Sequence, residues 1–195
     1  MSTRRSVVVW LPLLLVVAGG PSMAVERAKY AVELNDPPYE IRDYAPSLVA
    51  SVHVDGNRGE AVSAGFRILA NYIFGGNQPK GKIAMTAPVA QQPTPGGWEV
   101  RFTMPAAYTL NTLPAPADPR VHIAAMPAHR AAVISFSGFW SDTNLLAHEA
   151  KLLEWLKTQQ LTATSVPTYD YYDPPWTPWF LRTIEVAVDI ARRKP

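Results

Sequence analysis

The order of patterned segments occurs twice along this chain, and that repetition constrains the fold more than any single motif. In the first half, Tyr39 to Tyr44 is followed by an extended run through Leu48, Val49, Val52 and Val54 that ends at Asp55-Gly56. This reads as two strands broken at Pro46. Val62, Phe66, Leu69 and Ile73 then recur at helical intervals up to Gly75-Gly76, which predicts a helix over 59–74. Ile83 to Ala90 and Trp98 to Met104 are strand-like, with the proline- and glycine-rich stretch Gln91 to Gly97 between them. The second half repeats the order: strands at Val121 to Met126 and Ala131 to Phe136, a turn at Ser137-Gly138, then a helix. Ser141 or Asp142 caps that helix, and Leu145, Leu146, Leu152, Leu153 and Leu156 form its apolar stripe. Tyr169 to Tyr172 and Ile184 to Ile190 close the second unit around the loop Asp173 to Pro178. Two such units predict a duplicated α+β domain, 39–104 matching 121–190. One mixed or antiparallel sheet with both helices outside, closed into a distorted barrel, buries both stripes at once.

The first residues stand apart from this pattern. Arg4 and Arg5 precede an apolar run from Val7 to Val17, the arrangement of a signal peptide over residues 1–24. Ser22 and Ala24 supply the small residues for a cut after Ala24. The run is shorter than the roughly 20 residues of a membrane span. A single domain over 25–195, exported to a periplasm or secreted, is expected. Removing Arg4 and Arg5 lowers Lys plus Arg from 18 to 16, equal to the 16 Asp plus Glu. A neutral chain lacks the basic excess that drives nucleic-acid affinity, so no nucleic-acid partner is expected. No later segment is apolar enough for stable membrane insertion. The absence of cysteine excludes thiolate metal sites, cysteine nucleophiles and disulfides.

The remaining chemistry favours binding over catalysis. His53, His122, His129 and His148 include no pair at the spacing of a helical zinc site, so no metal site is expected. There is no nucleophile elbow, phosphate-binding glycine loop or dinucleotide fingerprint. Glu40, Asp43 and Glu185 are the carboxylates most worth inspection, and pairing with Arg42 or Arg182 is their expected role. On the first helix, Val62, Leu69 and Ile73 point to the core, while Ser63, Phe66, Arg67, Ala70 and Phe74 occupy a flank about 90 degrees away. A flat macrocycle fits over Ala70 with Phe66 and Phe74 at its edges and Arg67 near an acidic substituent. Tyr171, Tyr172, Trp176 and Trp179, stiffened by prolines, are candidates for a second wall. The alternative is that the two phenylalanines complete the core and the tryptophans cover one end of the barrel.

Several ordered motifs resemble those of the SOUL heme-binding protein family. They are Tyr39-Glu40-Ile41-Arg42-Asp43-Tyr44, the helix residues Phe66, Leu69, Tyr72, Ile73 and Asn77, and the octapeptide Lys82 to Val89. Phe102 to Pro105, Phe136 to Phe139 and Tyr172-Asp173-Pro174-Pro175 follow in the same order. The resemblance implies a distorted eight-stranded, mostly antiparallel β-barrel flanked by two α-helices. It also implies binding of heme or another tetrapyrrole, as a carrier, buffer or sensor rather than an enzyme. Two departures matter. Some members carry a histidine where this chain has Asp43, and the family's closing Arg-Asn-Glu-Val is here Thr183-Ile184-Glu185-Val186. Asp is a poor substitute for imidazole on iron, so binding without a strong axial ligand is expected. An enzyme acting on a tetrapyrrole or small hydrophobic molecule, and a protein-interaction module using Trp176 and Trp179, are the alternatives.

Overall fold

The computed structural model describes residues 25–191, so the segment read as a signal peptide lies outside the described residues. The chain forms an α+β fold in which nine strands make one curled antiparallel sheet with two helices. In chain order these are β1 (Tyr30–Asp36), β2 (Tyr39–Tyr44), β3 (Ser47–Asp55), α1 (Arg58–Ile73), β4 (Val89–Thr94) and β5 (Gly97–Thr103). They are followed by β6 (His122–Met126), β7 (His129–Phe136), α2 (Asp142–Thr158), β8 (Thr168–Tyr171) and β9 (Ile184–Asp189). Two-residue pairings, Glu26–Arg27 with Thr86–Ala87 and Asn77–Gln78 with Ala115–Pro116, tie down the connections.

The strand order is β6-β3-β5-β4-β8-β9-β7-β2-β1. Exchanging β2, β3, β4 and β5 with β6, β7, β8 and β9 maps the order onto itself about an axis between β4 and β8, with β1 as the unmatched ninth strand. The expected duplication is therefore present. Each unit also gives its first strand to the other: β2 pairs with β7, and β6 with β3. Helix α1 packs on β3 and β5, and α2 on the equivalent β7 and β9.

Local chemistry sets the helix ends. Asn57 and Ser141 each accept a hydrogen bond from the backbone amide three residues on, at 3.0 and 3.3 Å, which satisfies a donor the helix leaves free. The stripes differ from expectation in detail. Ala61, Gly65, Leu69, Tyr72 and Ile73 form the buried face of α1, because Gly65 lets the helix approach Val100 so closely that a methyl group there would lie 2.5 Å from it. In α2, Leu146 is exposed and Trp155 is buried in its place, donating to Asp36 at 2.9 Å. The strand expected from Ile83 is reduced to the short pairing at Thr86–Ala87 followed by β4 from Val89, and the expected loop from Gln91 is mostly strand. Gln91 is buried because its amide donates to the Arg58 carbonyl at 2.8 Å. The turn shrinks to Pro95 and Gly96, the latter at a φ of +82°, where glycine carries no steric penalty.

Candidate functional site: two faces of one sheet

Strand alternation divides the sheet into two unlike surfaces. Ala50 and Val52 of β3, Val100 and Phe102 of β5, and Leu69, Tyr72 and Ile73 of α1 form one apolar cluster under the first helix. Ile41, Ala132, Ile134, Ile184, Val186 and Val188 meet Leu145, Leu152, Trp155 and Leu156 under the second. The intervening residues point to the inner face of the curl. Many of them are polar or charged, and residues of all nine strands line one hollow of about 340 Å³ there.

The inner face is organised around Arg42. Its guanidinium donates to both carboxylate oxygens of Glu185 at 2.8 Å, to Glu40 at 2.6 Å and to the Tyr44 hydroxyl at 3.1 Å. Glu185 also accepts from Ser135 and Tyr172, each at 2.7 Å. Burial pushes the Glu185 carboxyl up, but the bonds from Arg42, Tyr172 and Ser135 outweigh it and hold the group below the usual range. The expected carboxylate–arginine pairing is thus formed by Arg42, Glu40 and Glu185. Asp43 points to the helix side, where Arg130 donates to it at 3.0 and 2.9 Å. Arg182 instead donates to the carbonyls of Thr177 and Pro175, both at 2.7 Å, and its guanidinium lies over Trp140.

Asp170, which carries no motif in the sequence, sits beside Glu185 on this face. Pairing across the strands places Ser135, Glu185, Asp170, Ala90, Arg101, Ser51 and His122 in one transverse row. Only knowledge of the strand order reveals that row. Burial, reinforced by the charge of Glu185 and opposed by Arg101 and Arg42, pushes the Asp170 carboxyl up to about 7.

The predicted binding residues are distributed over three places. Ser63, Phe66, Arg67 and Phe74 are exposed along α1, and Ala70 is half-buried between the two rings. Phe66 is 40% exposed and Phe74 62%, so neither simply completes the core, although the Phe66 ring meets Phe102 edge-on. Tyr172 bonds to Glu185 on the inner face, opposite the surface that α1 covers. Trp176, 82% exposed, lies on the loop before a short turn at Trp179–Leu181, which packs near Phe139. Tyr172 therefore does not stand beside Ala70 as part of a second wall.

Three of the four histidines have local partners. His53 bonds to Asp55 and Thr94, His129 stacks on Tyr44, and His148 stacks on Phe136 with its Nδ1 2.8 Å from the Asn144 carbonyl. Among the described residues, no group of three or more His, Cys, Asp or Glu is placed to hold a metal ion.

Comparison with known proteins agrees with the motifs. Heme-binding protein 2 of Homo sapiens is 42% identical over 59 residues, 30% of this chain and 29% of that relative. The match thus spans under a third of the relative's length. In fold, the C-terminal domain of EcmrR is similar with a TM-score of 0.59 at 12% identity, covering 84% of this chain and 98% of that one. A hydrolase from Listeria innocua is similar with a TM-score of 0.53 at 12% identity, covering 78% and 91%. At such identities the likeness is one of fold alone. The model of the SOUL heme-binding protein family matches residues 25–189, so the chain belongs to that family.

Proposed function

We propose that this protein binds heme or a related tetrapyrrole on the outer flank of α1, as an exported carrier, buffer or sensor that performs no chemistry on its ligand. The observation that carries this reading is the pair of exposed rings, Phe66 and Phe74, one turn on either side of half-buried Ala70. A small residue between two aromatic edges is a seat for a flat macrocycle. Arg67 is the available cation, because Arg58, the other basic residue of α1, is held by Asp142, Tyr171 and the Trp140 carbonyl. One cation does not pair two propionates, so affinity comes chiefly from ring area, at roughly 25 cal/mol per Å² before association costs.

The flank fits the macrocycle and offers no strong iron ligand. Helix α1 contains no His, Cys or Met, and the hydroxyl of its only tyrosine, Tyr72, donates to the Pro114 carbonyl at 2.8 Å. Bound heme brings redox-active iron; the residues of the chain hold the ring and one acidic substituent. The engagement of Glu40, Asp43 and Glu185 by arginines supports binding over catalysis. The exposed Trp176, Trp179, Phe180 and Leu181 favour a second reading, an interaction module.

Titration with hemin and with metal-free protoporphyrin, followed by Soret absorbance and tryptophan quenching, tests the proposal. Both ligands are expected to bind about equally, Ala70→Trp to block both, and Arg67→Ala to weaken both modestly. A six-coordinate bis-histidine spectrum lost on changing His53 or His148, with Ala70→Trp silent, would place the site elsewhere. Absence of any binding would leave the interaction reading.

A further inference from the structure

We propose that the hollow on the inner face of the sheet is a separate binding site for a small organic cation carrying an aromatic group, anchored by Asp170. Asp170 is only 8% exposed, lines the hollow, and makes no side-chain hydrogen bond or ion pair among the described residues. A buried carboxyl without a partner is costly and is completed by whatever enters the space before it. The neighbouring arginines do not fill that role. Arg42 is bound to Glu185 and Glu40, and Arg101 lies 3.4 Å from Glu99. Ala90, opposite Asp170 in the row, leaves room where a larger side chain would fill it.

The aromatic walls point to the sign of the ligand. Tyr30, Tyr44 and Tyr172 line the same hollow. Two of these rings already hold cations of the chain: the Arg42 guanidinium lies 4.4 Å from the Tyr30 centroid, and that of Arg27 lies 4.8 Å from the Tyr172 centroid. Arg27 belongs to an exposed two-residue pairing at the rim, so a cation already rests at the entrance. Rings and an unpaired carboxylate together are the chemistry that recognises substituted ammonium groups.

The charged and titratable groups around Asp170 are Glu185 and Asp189 on β9, Tyr30 on β1, Arg42 and Tyr44 on β2, Arg101 on β5, His129 on β7, Tyr172 after β8, and Arg27 before β1. The carboxyl is pushed up to about 7, and a cation binds its ionised form, so affinity rises with pH. Calorimetric titration of the full chain with benzyltrimethylammonium, whose charge is permanent, is expected to give saturable binding about tenfold tighter at pH 8 than at pH 6. Binding at pH 7 is expected to release protons, seen as a dependence of the heat on the buffer. Asp170→Asn is expected to abolish binding and His129→Gln to keep its pH dependence. Ala90→Leu, by filling the hollow, is expected to weaken binding about tenfold or more. The proton release of the unaltered protein and Ala90→Leu keep the test decisive should Asp170→Asn fail to fold. Benzoate bound in place of the cation, equal affinity at the two pH values, or no heat at pH 8 would overturn the proposal. Hemin binding at α1 is independent of all these outcomes.

Discussion

Arg42 and Glu185 show how a polar inner face is held in a small sheet. Each is buried, and together with Tyr44, Tyr172, Ser135 and Glu40 they satisfy one another almost completely. Removing Glu185 leaves the buried Arg42 guanidinium with Glu40 as its remaining carboxylate partner and takes the acceptor from Ser135 and Tyr172. Glu185→Ala is therefore expected to lower stability by about 3–5 kcal/mol, measured by urea unfolding at pH 7. The two neighbouring carboxyls respond to pH with opposite signs. Glu185 is lower in the folded state, so its stabilisation is present above the usual carboxylate range and is lost as pH falls through its folded value. Asp170 is raised from 3.8 to about 7, so its stabilising protonation is present in acid and is lost as pH rises through about 7. A flatter stability profile between pH 5 and 8 in Asp170→Asn than in the unaltered protein would check the second sign. The Arg42–Glu185 pairing was among the alternatives visible in the motifs. Asp170 was not, because nothing local marks a strand residue whose importance lies in its cross-strand neighbours.

At the scale of elements, the contact between α1 and β5 depends on the one missing side chain at Gly65. Alanine there would gain about 0.5–1 kcal/mol of helix propensity, but its methyl would stand 2.5 Å from Val100. Overpacking costs about 1–3 kcal/mol, so Gly65→Ala is expected to lower the melting temperature, and Val100→Ala added to it to recover part of the loss. Periodicity located the first helix to within a residue and the start of the second at its cap. It misplaced part of the face of α1, since a glycine and a tyrosine, Gly65 and Tyr72, weigh little in an apolar pattern yet are buried in the contact.

At the scale of the whole molecule, the exchange of first strands interlocks the two units. Without β6, β3 is left as an unpaired edge; without β7, β2 loses its partner on that side. Residues 25–117 produced alone are therefore expected to lack a cooperative unfolding transition, and to regain one when mixed with 118–195. Circular dichroism of the fragments, separately and together, measures this. An independently folded first half would show that the units are packed beside each other and not interdependent.

The repeated order of strands and helices, the two apolar stripes and the motif series by themselves determined the α+β class, the duplication and the family, because each is a periodic or contiguous pattern along the chain. The exposure of Phe66 and Phe74 around Ala70 also follows from the angular step of a helix, a local quantity. Tertiary structure alone decided that Tyr172 turns to the inner face, and that Asp170 lies unpaired in a hollow between Glu185 and Arg101. Those relations join residues from strands far apart in the sequence. Strand order and sheet curl place them together, and neither is encoded by the spacing of residues within any one segment.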